Sequence, residues 1–141
     1  MRNNPLNIRA SQSFSWVGQS GAEKGFCVFD DVVFCRRAGA YLLMRSYRRA
    51  GVDTIEKIIR RWAPPIENPT SNYVAFVAKM TSLKPDTHLC FMSDYAAILA
   101  AMEIFEQGIL SPRRDTYFVN ALNSYTYIIT KFNIFNDEKK G

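Results

Sequence analysis

Residues 93–108 read SDYAAILAAMEIFEQG, and the phase of this stretch decides how the rest of the chain is read. Apolar side chains at Tyr95, Ile98, Leu99, Met102 and Phe105 recur at the spacing of one helical face. At roughly 100° per residue, Glu106 lies about 45° from the centre of that stripe, one turn beyond Met102. It is therefore expected to point toward the interior. Burial of an unpaired carboxyl favours its protonated form, the state a general acid needs. Glu106 is thus the leading candidate acid, and Glu103, beside the stripe, is a weaker rival.

Outward from this helix the signals are mostly helical. Gly108 ends it and Ser93 is its expected cap. A last helix is read from about Asp115 to Lys131, with Phe118, Ala121, Leu122, Tyr125 and Ile129 on one face. Upstream, Thr70 is expected to cap a helix carrying Tyr73, Val74 and Val77 inward, and Pro64-Pro65 to stop the helix before it. That earlier helix opens on a capping box, Asp53 at the N-cap and Glu56 at N3, and runs to about Trp62. A helix over Arg36–Ala50 precedes it. Phe14–Gln19 and Gly25–Asp30, punctuated by Gly18, Gly21 and Gly25, read as a hairpin with a loop of moderate length. Residues 1–13 form an Asn-rich arm. The expected architecture is mainly α with one small β-hairpin, an α+β domain spanning residues 1–141.

The chain has 141 residues and nearly half are apolar, enough for one sizeable core. No apolar run reaches the length of a membrane span, and MRNNPLNIR lacks the apolar segment of a secretory signal. Production in the cytoplasm, with delivery or release to any extracytoplasmic target, is the expectation. The three cysteines, Cys27, Cys35 and Cys90, and the lone His88 match neither a disulfide framework nor a zinc site, so no metal or cofactor is implied. The formal charge is +5, with arginine pairs at 36–37, 48–49, 60–61 and 113–114. A basic surface suits nucleic acid, an anionic wall polymer or solvated helix faces. No nucleic-acid motif accompanies the charge, and an acid in a cleft repels phosphate.

Three segments stand apart: Arg2–Arg9 (RNNPLNIR), Arg61–Tyr73 (RWAPPIENPTSNY) and Glu106–Gly108 (EQG). With Trp16-Val-Gly18, GFCVFDD and Arg36–Ala38 in this order, they resemble a family of small phage-associated proteins. Those proteins are often labelled virion structural proteins and are related to lysozyme-like peptidoglycan hydrolases. The likeness covers about residues 2–108. Leu6 and Cys35 depart from it, each standing where that family tends to carry glycine.

The resemblance implies a lysozyme-like fold whose pieces come in rotated order. In glucosaminidase- and transglycosylase-type enzymes the Glu-x-Gly helix comes first, whereas here EQG comes last, so a circular permutation is expected. Met1 would then start near the end of the Glu106 helix, which close chain ends make tolerable. The implied activity is cleavage of peptidoglycan glycan strands with Glu106 as general acid. Glu23 is the candidate second carboxylate, and Glu67 either acts directly or orders its loop. Tyr73 matches a cleft tyrosine that bonds substrate or Glu106. Asn3, Asn4 and Asn7 either meet N-acetyl groups or build the cleft wall, and Trp16 and Trp62 offer faces for sugar stacking. The alternative is a non-catalytic virion or wall-binding protein of the same fold. Phage lysis, virion-associated entry and toxin delivery all suit such a chain. An immunity-type inhibitor would be a partner in the last case.

Overall fold

A computed structural model of the chain describes residues 1–63 and 69–135. Its described elements are strands β1 (Gln19–Glu23) and β2 (Phe26–Phe29) and helices α1 (Val32–Tyr41), α2 (Ile55–Trp62), α3 (Thr70–Thr81), α4 (Met92–Gln107) and α5 (Arg113–Lys131). A π-helical turn, Leu42–Tyr47, continues α1. The mainly α, α+β reading holds for the described residues. Among them no helix is long and apolar enough to cross a membrane.

Helix α4 is the axis of the core, packed between α1, α3 and α5. Every residue from Ile98 to Ile104 is buried, Glu103 included. A helix covered on all sides has no solvent face, so its apolar stripe no longer says which way a polar residue points. That corrects the helical phase argument: Glu103 is the fully buried glutamate, and Glu106 is half-buried one turn later.

The hairpin lies further along the chain than its aromatic alternation suggests. Strands β1 and β2 pair antiparallel, Glu23 opposite Phe26, across a two-residue turn in which Lys24 and Gly25 both have positive φ (54° and 86°). Positive φ at both positions matches the right-handed twist of the strands, and glycine supplies one of them at no steric cost. Phe14 and Trp16 lie outside the sheet and meet edge to face at 5.1 Å.

The helix starts also move by small, explicable amounts. Asp31, extended at φ −153°, accepts from Val33 N–H at 2.9 Å and starts α1 at Val32 rather than Arg36. Thr54, not Asp53, caps α2 by accepting from Lys57 N–H. The Asp53 carboxylate takes His88 Nδ1 at 2.9 Å instead. Pro69 occupies the cap position of α3, and the Thr70 hydroxyl donates to Ala63 C=O, tying α3 to the end of α2. Phe91 precedes α4, whose first residue is Met92, so Ser93 is not its cap.

The Asn-rich arm is structured because its amides supply what its backbone lacks. Asn4-Pro5-Leu6-Asn7 is a turn closed by Asn7 N–H to Asn4 C=O at 3.0 Å, with Pro5 at its second position. Asn3 and Asn7 occupy the left-handed region, which asparagine tolerates better than most residues. Beyond the turn, Cys27 N–H donates to Ile8 C=O and Ala10 N–H to Gly25 C=O, so the arm covers the free edge of β2. Leu6, fully buried, seats against Gly39 of α1 and next to Leu99 of α4. A Cβ on Gly39 would fall 2.4 Å from Leu6 Cδ1. The departure from glycine at position 6 is thus matched by a glycine-sized hole in α1.

Candidate functional site

The arm brings its asparagines to the end of α4. Asn7 Nδ2 donates to one carboxylate oxygen of Glu106 at 2.8 Å, and the Tyr73 hydroxyl donates to the other at 2.8 Å. Gln107 Nε2 donates to Pro5 C=O at 2.8 Å. Met1 and Gln107 line one surface cavity. The expected folding back of the first residues beside the end of this helix is therefore observed.

Glu106 opens into a cavity of about 390 Å³ walled by Asn7, Arg9, Phe26, Leu42, Tyr47 and Trp62. It is the one acidic group among the described residues lining that cavity. Leu42 and Tyr47 reach the same cavity because of the π-helical turn. Five residues of α-helix would turn them about 140° apart, whereas the wider π-turn, at about 4.4 residues per turn, brings them to within about 50°. No sequence signal marks that turn. Tyr47 and Trp62 meet edge to face at 6.5 Å, joining the turn to the end of α2.

Tyr73 is 1% exposed and stacks on Phe105 at 3.9 Å between centroids. Burial, reinforced by the neighbouring Glu106 carboxylate and its hydrogen bond, pushes the phenol well above its ordinary value. Tyr73 therefore stays a neutral donor across the physiological range. Both partners of Glu106 can reverse polarity: a hydroxyl donates or accepts, and a rotated amide presents its oxygen. Together they can serve the carboxylate and the carboxylic acid alike. Glu106 is paired and half-buried, not the unpaired buried acid expected from periodicity.

Glu103 is held quite differently. Arg36 Nε and Nη2 donate to its two oxygens at 2.8 and 3.0 Å, and the hydroxyls of Tyr117 and Tyr125 complete the shell. Burial works against the charge of Arg36, but the hydrogen bonds and charge of Glu103 outweigh it and push the guanidinium above its usual value. A guanidinium fork suits a carboxylate whose two oxygens both accept. So held, Glu103 joins α1, α4 and α5.

The remaining candidates separate. Asn4 is structural: its amide donates to Ile8 and Cys27 C=O and accepts from Ile8 N–H and the Cys35 thiol. Asn3 donates to Phe29 and Asp30 C=O, fastening the arm to the end of β2. Trp62 lines the Glu106 cavity, whereas Trp16 lines a different groove with Phe14, Phe34 and Tyr41. Glu23 is exposed on β1, pairs with Arg2 at 3.0 Å and is not among the residues lining the Glu106 cavity. Glu67 lies outside the described residues. Among the described residues no cluster of three or more His, Cys, Asp or Glu side chains could hold a metal. Tyr47 belongs to the site without having been singled out in the sequence, and Arg9 and Phe26 enter the sequence reading only as members of RNNPLNIR and GFCVFDD, with no role of their own. An exposed arginine and two aromatics carry no pattern that distinguishes a cavity wall from a surface.

These features define a class: a mainly helical α+β domain whose amino-terminal arm completes a glutamate-centred cleft at the end of a buried helix. No protein-family model matches the chain. It is 37% identical over 110 residues to Protein P5 of Pseudoalteromonas phage PM2, an alignment covering 75% of this chain and 68% of the phage protein. The chain belongs to the family of that phage protein.

Proposed function

We propose that this protein cleaves peptidoglycan glycan strands, as a hydrolase or lytic transglycosylase of circularly permuted lysozyme-like fold. The observation that carries the proposal is Glu106, held by Asn7 and by the buried Tyr73, opening with Asn7 into a cavity walled in part by aromatic rings. Glu106, as the acid, gives its proton to the glycosidic oxygen. The C1–O bond breaks with its electron pair passing to that oxygen, and C1 acquires oxocarbenium character. Water captures C1 to give a reducing sugar, or the sugar's own C6 hydroxyl captures it to give an anhydro sugar, in either case losing its proton to the Glu106 carboxylate, which restores the acid. With Glu23 on an exposed strand, charge at C1 falls to the substrate's acetamido group or to the incoming oxygen. Trp62 offers its ring to a sugar face, and Asn7 and Tyr73 hold Glu106 through both protonation states. The rotated order of motifs is supported by the arm lying against the end of α4.

Glu106→Gln is nearly isosteric and is expected to lower the clearing of purified peptidoglycan by at least about 100-fold with the fold retained. A variant that clears as fast as the parent refutes the assignment. Mass analysis of the products distinguishes reducing from anhydro ends. The second reading is a non-catalytic virion or wall-binding component of the same fold, with which a phage relative is consistent. In that case the parent itself leaves the strands intact.

A further inference from the structure

The π-helical turn brings Tyr47 into the wall of the Glu106 cavity with a hydroxyl that does nothing for the fold. The residue is only 9% exposed, its ring met edge to face by Trp62 and covered by the Arg61 guanidinium at 5.1 Å. Buried tyrosine hydroxyls ordinarily find a hydrogen-bond partner in the protein. The Tyr47 hydroxyl has none among the described residues, yet unlike the Tyr95 hydroxyl it is not sealed from solvent. Phenylalanine would fill the same space, and an uninterrupted α-helix would turn the residue away from Leu42, which shares the cavity. A ligand met by the hydroxyl in the cavity accounts for both the wider turn and the unspent polar group. Burial, working against the neighbouring Arg61 charge, pushes the phenol above its ordinary value, so it serves as a neutral donor.

The same cavity holds an acceptor. Asn7 spends its Nδ2 on Glu106, and its side-chain oxygen has no hydrogen-bond partner among the described residues. A hydroxyl that donates and an amide oxygen that accepts complement a secondary amide, whose carbonyl accepts and whose N–H donates. On a glycan strand that group is the acetamido substituent at C2, and a sugar with a plain hydroxyl there has no carbonyl to offer. We propose that Tyr47 is a specificity-determining residue of this cavity, its hydroxyl donating to the acetamido carbonyl of a bound sugar whose acetamido N–H is taken by the Asn7 oxygen. The inference rests on the glycan-cleft reading of the cavity and concerns what it recognises, not whether it cuts.

Binding is therefore the readout, measured by calorimetry on Glu106→Gln protein so that no probe is consumed. The probes are the N-acetylglucosamine tetramer and cellotetraose, both neutral and of the same linkage, which differ at C2 alone. The acetamido-bearing probe is expected to bind about tenfold more tightly, because a site built to pair a polar group rejects the analogue lacking it. Tyr47→Phe in the same background is expected to reduce that preference about fivefold, weakening the acetamido probe and leaving cellotetraose unchanged. Its thermal unfolding should match the background, because no described group of the protein loses a bond. Equal affinity for the two probes overturns the inference, as does a preference that survives Tyr47→Phe. A Tyr47→Phe protein that weakens both probes alike, or that fails to fold, shows the hydroxyl serving the fold and overturns it too. Lysis by the parent keeps the two readings apart. Preference without lysis upholds the inference and refutes the proposed activity, and lysis without preference does the reverse. Failure to bind either probe overturns the inference.

Discussion

Replacing Glu103 by glutamine tests the division of labour between two glutamates three residues apart on α4. The side chains have similar volume, so no cavity opens, and the cost is electrostatic. Glu103 is fully buried and accepts two hydrogen bonds from Arg36 and one each from Tyr117 and Tyr125. Breaking a buried ion pair by removing one partner costs about 3–5 kcal/mol, because the other charge remains without compensation. Arg36 keeps 18% of its side chain exposed, and the glutamine carbonyl can still accept from two donors, so the lower end, about 3 kcal/mol, applies. With a urea slope of about 1.5–2 kcal/mol per molar, the unfolding midpoint should fall by about 1.5–2 M. Circular dichroism during urea titration measures it. In a double-mutant cycle with Arg36→Met, the two losses should fall short of additivity by about 2 kcal/mol. A midpoint unchanged by Glu103→Gln, or fully additive losses, would show that the cluster is not the junction of α1, α4 and α5.

Tyr73→Phe keeps the stacked ring and removes only the donor to Glu106, so peptidoglycan clearing should drop about 10- to 100-fold while stability changes by about 1 kcal/mol; a purely packing role predicts unaltered clearing. Gly39→Ala drives a methyl into Leu6 and should cost about 1–3 kcal/mol by thermal unfolding. Because Leu6 anchors the arm that carries Asn7, lysis should fall with it, and a variant of parental stability and activity would remove Leu6 as the anchor. Burial raises Cys35 from 9.0 to about 12 and Tyr95 from 10.0 to about 12, and raises Tyr73 and Tyr125 as well. Between the unfolded and folded values the folded state holds more protons, so stability is intact below about pH 9 and declines as pH rises toward 12. Each such group costs up to about 1.4 kcal/mol per pH unit in that window. In a variant whose exposed Tyr127 and half-buried Tyr41 are replaced by phenylalanine, tyrosinate absorbance should therefore appear together with loss of helical circular dichroism, and ionisation well before unfolding would contradict the burial of the remaining phenols.

Much of the architecture is legible in the sequence because it depends on neighbours along the chain. The π-helical turn apart, the helices of α1 to α5 follow from apolar spacing, and Gly108 ends α4 as expected, in the left-handed conformation. Local rules erred where two adjacent residues competed for one job. Thr54 outcompeted Asp53 as cap because Asp53 had a tertiary partner in His88, and the hairpin turn fell at Lys24-Gly25 because both residues take positive φ. Glu106, Asn7 and Tyr73 were each singled out from sequence, yet the hydrogen bonds joining them cross 99 and 33 residues of chain.

What the sequence by itself determined is the inventory: a mainly helical chain with one hairpin, an Asn-rich arm and a glutamate at the end of an apolar helix. Tertiary structure alone decided which glutamate is which. Periodicity measures an angle around one helix, and α4 is covered on every side, so the angle carries no information about solvent. The partners decided it instead. Arg36, from α1, holds Glu103 as a fixed anion, while Asn7 and Tyr73, from the arm and α3, leave Glu106 facing a cavity.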